Sequence, residues 1–105
     1  MELQGRAAIV TGAGGGIGKG IVLSLATAGA DIVLVDLDQA AADAVATKVR
    51  KLGRRALVVE TDVTDKASVV DMVSRAAEWS GGISILVNNA GVLRDNMLVK
   101  VKDGE

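Results

Sequence analysis

The segment richest in usable chemistry is Thr11-Gly12-Ala13-Gly14-Gly15-Gly16-Ile17-Gly18, with five glycines in eight residues. It follows the apolar run Ala7-Ala8-Ile9-Val10 and opens a stretch with helical spacing. At a strand-to-helix turn of this kind, bare backbone comes close to a pyrophosphate. The anion then lies on the N–H groups and the positive dipole end of the helix. Side chains would obstruct that approach, which is why glycine is needed there. Gly12, Gly14, Gly15, Gly16, Ile17 and Gly18 are therefore candidate binding residues.

The spacing separates several kinds of phosphate loop. G-x-G-x-x-G does not fit, because the sixth position is Ile17 counted from Gly12, Lys19 from Gly14 and Ile21 from Gly16. A P-loop, G-x-x-x-x-G-K-[ST], fails at both ends, since Ala13 and Gly20 stand where Gly and Ser/Thr belong. A methyltransferase-like fold would carry an acid two places before the first glycine, where this chain has Val10. The pattern present is T-G-x-x-x-G-x-G. Asp36 closes the next apolar run, eighteen residues after Gly18. A carboxylate there suits the ribose hydroxyls of an adenosine and repels a 2′-phosphate. No arginine occurs in the loop or just after Asp36, so the expected cofactor is NAD, with NADP left open.

The missing residue types exclude much else. The 105 residues include no His, Cys, Tyr, Phe or Pro. This rules out a Cys- or His-rich metal site, a disulfide and a Ser-His or Cys-His pair, and leaves Asp, Glu and Lys for proton transfer. Twelve basic and thirteen acidic residues are dispersed along the chain, and Trp79 is the one aromatic residue, so nucleic-acid binding is not expected. The longest uncharged apolar stretch, Ile21 to Ala30, is far too short for a membrane span. Neither a membrane nor a secretory signal is expected, and the absence of cysteine suits a cytoplasmic location.

The elements that must position these residues follow from hydrophobic spacing. Strands are expected over 7–11, 31–36, 56–60 and 83–87. The first helix runs over 16–28 with Ile17, Ile21, Leu25 and Ala28 inward and Gly29 as its cap. Asp38 caps a second helix with Ala41, Val45, Val49 and Leu52 inward, ending at Gly53. Thr64 caps a third, with Val69, Val73, Ala76 and Ala77 inward, ending at Gly81-Gly82. Strand and helix alternate as β-α-β-α-β-α-β, which predicts an α/β fold, a Rossmann-type doubly wound parallel sheet.

Four features together resemble the short-chain dehydrogenases/reductases: T-G-A-G-G-G-I-G at 11–18, Asp36, Asp62-Val63 and Asn88-Asn89-Ala90-Gly91. The resemblance covers the whole chain and implies strand order 3-2-1-4. It implies that Leu37 is among the cofactor-binding residues, that Asp62 accepts from the adenine amino group, and that the Val63 backbone takes the ring edge. It also implies that the Asn89-Ala90-Gly91 backbone lies along the cofactor ribose. Gly91 to Leu98 is most similar to the 3-oxoacyl-acyl-carrier-protein and acetoacetyl-CoA reductase branch. The implied activity is hydride transfer between nicotinamide and a carbonyl or alcohol substrate. Ser84 departs from the Asp common in the family. A larger departure is that the chain has no tyrosine and reaches Glu105 before the family's Ser, Tyr, Lys and Asn would appear.

Residues 1–105 are accordingly read as one partial dinucleotide-binding domain, with 92–105 beginning an incomplete second half that alone would not catalyse the reaction. No catalytic residue and no metal ligand is assigned, and Lys19, Lys100 and Lys102 are read as surface charges. The fourth strand would be an apolar sheet edge, so a homo-oligomer is expected, through antiparallel pairing of that edge. The other reading kept open is a non-catalytic nucleotide-binding or regulatory module that self-associates.

Overall fold

The computed structural model describes residues 2–89. Its elements alternate as expected: β1 (Ala7–Thr11), α1 (Gly16–Thr27), β2 (Asp31–Asp36), α2 (Gln39–Lys51), β3 (Ala56–Glu60), α3 (Lys66–Ser80) and β4 (Ile85–Val87). The four strands are parallel and ordered β3-β2-β1-β4. The crossover falls between β3 and β4, so the chain reverses direction across the sheet beside β1. In open parallel sheets, ligand clefts form at such a reversal, outside the C-terminal strand ends.

Helices cover both faces. Ala8, Val10, Ile32 and Leu34 pack beneath α1 and α2, against Val22, Ala26, Ala42, Val45, Ala46 and Val49. Ile9, Val33, Val35 and Val59 point to the other face, against Val69, Met72, Val73 and Ala76 of α3. All of β1 and the four central residues of β2 are buried, which explains why these strands read as unbroken apolar runs rather than alternating ones.

Several local expectations are corrected. The fully buried stripe of α1 is Gly18, Val22 and Ala26, with Ile21 and Leu25 half-buried against the same core as expected, whereas Ile17 is 76% exposed. The helix turns its small residues inward because its first turn lies against the Gly12 backbone, with no room for an isoleucine. In α2, Ala42 and Ala46 are buried with Val45 and Val49, while Leu52 is exposed. The cap of α3 is Asp65, whose side chain accepts from the Ala67 N–H, and not Thr64. Thr64 is turned instead towards Asp62. Met72 takes the inward place expected of Ala77. β4 is shorter than expected, starting at Ile85, although the Ser84 N–H still donates to the Ala7 carbonyl. Gly29 closes α1 as expected: at φ +108° it follows Ala28, its N–H donates to the Ala26 carbonyl, and the Ala30 N–H donates to the Leu25 carbonyl.

Candidate functional site

The site lies at the C-terminal ends of β1, β2 and β3 and at the start of α1. After Thr11 the chain turns through Gly12 at φ +65°, a left-handed conformation that glycine adopts without the strain of a Cβ. The Ala13 N–H donates to the Val35 carbonyl at 3.2 Å, and the Gly15 N–H to the Gly12 carbonyl at 3.3 Å, so the loop hangs from the ends of β1 and β2.

The glycines differ in what they do. A Cβ on Gly18 would overlap the Gly12 carbonyl oxygen and come within 2.9 Å of Asn89 Nδ2. A Cβ on Gly14 would come within 2.7 Å of the Ala41 methyl and 3.0 Å of the α2 backbone. These two glycines therefore serve close packing within the protein. Gly16 faces open space, and a Cβ on Gly15 would meet nothing nearer than 3.7 Å. Their bare backbone borders the start of α1. No side chain caps this helix and no acidic residue lies in its first turn, whereas α2 and α3 are capped by Asp38 and Asp65. The first N–H groups of a helix have no partner within it, and here no side chain takes them up.

Asp36, half-buried at the end of β2, is held in place by backbone. Oδ2 accepts from the Gly14 N–H at 2.8 Å and Oδ1 from the Asp38 N–H at 2.9 Å. A carboxylate has about four acceptor positions, so acceptor capacity remains for ligand hydroxyls. Among the described residues no ion pair involves Asp36.

Next to it is a cleft of about 220 Å³ lined by Gly12, Val35, Asp36, Leu37, Thr61, Asp62, Val63 and Thr64. Whole small-molecule pockets usually span ~300–1,000 Å³, so this volume suits one ring system of a larger ligand. Leu37 is 66% exposed at its side, an apolar surface available to stack on that ring. At the other end, Asp62 Oδ1 accepts from the Thr64 hydroxyl at 2.6 Å and from the Thr64 N–H at 2.9 Å. These two bonds, the hydroxyl first, hold the Asp62 carboxyl below the usual carboxylate range. Neither of them uses Oδ2. The Asp62 N–H donates to Ser68 Oγ at 3.0 Å, which ties the turn to α3.

β4 is tied to the loop across the sheet. Thr11 Oγ1 accepts from the Asn89 N–H at 2.9 Å and lies 3.3 Å from Asn88 Oδ1, and Asn89 Nδ2 donates to the Gly12 carbonyl at 3.3 Å. The candidates Gly12, Asp36, Leu37, Asp62 and Val63 thus line one cleft, with Gly14, Gly15, Gly16, Ile17, Gly18 and Asn89 beside it. Ala90, Gly91 and the stretch 92–105 lie outside the described residues. Sequence reasoning gave Thr11, Thr64 and Ala41 no part in the site, taking Thr64 as a helix cap and Ala41 as an inward residue of the second helix. Only Thr11 carried a signal, as the first letter of its motif. The pKa of Lys48 on α2 is lowered by its proximity to Lys19, through side-chain contact first and charge repulsion second.

Uncapped helix N–H groups, a glycine loop with open space above it, a strand-end carboxylate and a ring-sized cleft, set at the strand ends of a parallel α/β sheet, are the features by which dinucleotide-binding folds are recognised. The family model for short chain dehydrogenases matches residues 6–105, and the chain belongs to that family. The chain is 41% identical over 91 residues to 7α-hydroxysteroid dehydrogenase of Escherichia coli strain K12, covering 87% of this chain and 36% of that protein. It is 36% identical over 105 residues to the 3-oxoacyl-acyl-carrier-protein reductase FabG of the same strain, covering 100% of this chain and 42% of that protein. A solved structure of 7α-hydroxysteroid dehydrogenase complexed with NADH and 7-oxo glycochenodeoxycholic acid superposes with a TM-score of 0.80 at 39% identity, covering 83% of this chain and 34% of that one. The chain therefore spans well under half the length of these relatives. Among the described residues, no helix is long and apolar enough to cross a membrane.

Proposed function

We propose that this chain forms the cofactor side of an oxidoreductase that moves a hydride between a nicotinamide dinucleotide and a carbonyl or alcohol. NAD(H) is the preferred form. The observation that carries this reading is Asp36, fixed by the Gly14 and Asp38 N–H groups beside the ring-sized cleft and free of any ion pair among the described residues. A 2′-phosphate would meet this fixed negative charge, which no cation pairs among the described residues, whereas a 2′-hydroxyl donates to it.

The residues divide the work of binding. The start of α1, with Gly15 and Gly16, would hold the pyrophosphate, and Asp36 the adenosine ribose. Leu37, Asp62 and Val63 would hold the adenine, with Asp62 Oδ2 accepting from the exocyclic amine. Asn89, Ala90 and Gly91 would border the second ribose. When bound, the nicotinamide ring supplies or takes up the hydride. The sequence has no tyrosine, so the family's tyrosine proton donor is not supplied by these 105 residues. Losing a general acid costs about 10²–10⁴-fold in rate, and the 105-residue chain is expected to bind cofactor without turnover. A 3-oxoacyl thioester is the first substrate to try, because Gly91 to Leu98 resembles that branch.

The test is a fluorescence titration of the purified chain with NADH, with NADPH in parallel. Saturable binding that favours NADH supports the reading. A folded chain that binds neither dinucleotide overturns it. The alternative, a self-associating nucleotide-binding module, draws on Leu86, which is 41% exposed on β4 at the sheet edge. Sedimentation of wild type beside Leu86→Lys tests it, and a wild-type monomer at high concentration counts against it.

A further inference from the structure

Four residues close a ring around the adenosine end of the cleft. The Gly14 N–H donates to Asp36 Oδ2 at 2.8 Å, and Asp36 Oδ1 accepts from the Asp38 N–H at 2.9 Å. Asp38 Oδ1 in turn accepts from the Ala41 N–H at 3.1 Å, as the cap of α2. The Ala41 methyl then lies over Gly14, so close that a Cβ on Gly14 would come within 2.7 Å of it. The glycine loop, the end of β2 and the first turn of α2 are thereby fixed to one another, and Asp36 occupies the link facing the cleft.

We propose that Asp38 and Ala41 are positioning residues for cofactor selectivity, acting through Asp36 and Gly14. This inference rests on the dinucleotide reading above. A carboxylate held at both oxygens by backbone N–H groups cannot swing away from an incoming 2′-phosphate without giving up a charge-assisted hydrogen bond. It is also aimed in advance at ribose hydroxyls, so little ordering remains to be done when ligand arrives. Discrimination at Asp36 then depends on geometry as well as charge. Two residues outside the lining of the cleft maintain that geometry, Asp38 by setting where α2 begins and Ala41 by pressing on the loop.

The ring can be broken at two separate links. Asp38→Ala removes the cap, and Ala41→Val enlarges the methyl that contacts Gly14. Asp38→Asn keeps a capping oxygen, since Asn and Asp serve about equally well at this position. The readouts are hydrogen exchange of the Gly14 amide in the cofactor-free chain, and the ratio of NADPH to NADH dissociation constants. Wild type is expected to show a protected Gly14 amide and to favour NADH. In Asp38→Ala and Ala41→Val, Gly14 should exchange faster and the ratio should fall about five- to tenfold, the value of roughly one hydrogen bond. Asp38→Asn should restore both.

If the two broken-ring variants lose thermal stability but keep the wild-type ratio, Asp38 and Ala41 are structural only and the inference is overturned. An unprotected Gly14 amide in wild type overturns it as well. If wild type binds NADH and NADPH equally, or neither, the functional reading fails and the selectivity role fails with it. Should Asp38→Ala not fold, Ala41→Val with its cap intact decides the question alone.

Discussion

Replacing Gly18 by Ala tests the packing of the glycine loop directly, and Gly20→Ala is its internal control. Both residues lie in α1, where glycine costs about 1 kcal/mol relative to alanine through backbone entropy. A Cβ at Gly20 would meet nothing within 4 Å, so Gly20→Ala should stabilise the chain by ~1 kcal/mol. At Gly18 the same gain is opposed. The new methyl would overlap the Gly12 carbonyl oxygen, with the Gly12 carbonyl carbon 2.8 Å and Asn89 Nδ2 2.9 Å away. Two of these three neighbours are backbone in a loop already tied to β2, so relief requires α1 to move. Overpacking of this kind costs ~1–3 kcal/mol or more. Displacing Asn89 from its bond to the Gly12 carbonyl adds ~1 kcal/mol. The net expectation is a loss of about 1–3 kcal/mol for Gly18→Ala, opposite in sign to Gly20→Ala. In a small domain this pair should differ in Tm by roughly 8 °C or more. Urea denaturation followed by circular dichroism measures both variants on one scale. If Gly18→Ala proved as stable as Gly20→Ala, the close approach of α1 to Gly12 would be wrong, and the account of the buried α1 face would fall with it.

Other consequences can be checked separately. Asp36→Ala should weaken NADH binding by about ten- to a hundredfold, the loss of hydrogen bonds to a charged group, and should relax discrimination against NADPH. Unchanged selectivity in a parallel titration would remove Asp36 from its assigned role. Thr64→Val deletes the hydroxyl that donates to Asp62, so the Asp62 carboxyl should titrate closer to the ordinary carboxylate range in carbon-13 NMR. The sign follows from the depressed native value. The contribution of Asp62 to stability is present at pH above ~4 and lost as the pH falls through its native titration. Thr64→Val should reduce that acid-dependent part. Arg55 stacks 4.2 Å from the Trp79 ring centroid, donates to the Trp79 carbonyl at 3.0 Å and faces Asp31 at 4.0 Å. Its side chain is about half exposed, so Arg55→Ala should cost only ~1 kcal/mol, with a change in Trp79 fluorescence. Arg55→Lys, lacking the planar stack, should recover part of the loss in the same melting experiment.

The sequence by itself determined the order of elements, the parallel class of the sheet and the main candidate residues. Those signals are local. A β-branched run, a 3.6-residue stripe, an aspartate before an alanine-rich helix and a glycine cluster each show within a dozen residues. The resemblance to a known family added the strand order and the adenine roles of Asp62 and Val63. What only the tertiary structure decided concerns residues far apart in the chain. Apolar spacing showed that α1 is amphipathic but placed Ile17 inward, because periodicity does not say what the helix packs against. Gly18 faces inward because the Gly12 backbone and Asn89, 71 residues further on, occupy the space beside it. The glycine cluster looked uniform in sequence, yet Gly14 and Gly18 serve packing against α2 and the loop, while Gly16 faces open space. Thr64 was the residue expected to cap α3, but the turn of Asp62 claims its hydroxyl and Asp65 caps the helix. The ring from Gly14 through Asp36 and Asp38 to Ala41 joins the first glycine turn to the second helix, contacts that exist only once β1 and β2 lie side by side. Local patterns set what each segment can become, and the sheet sets which segments meet.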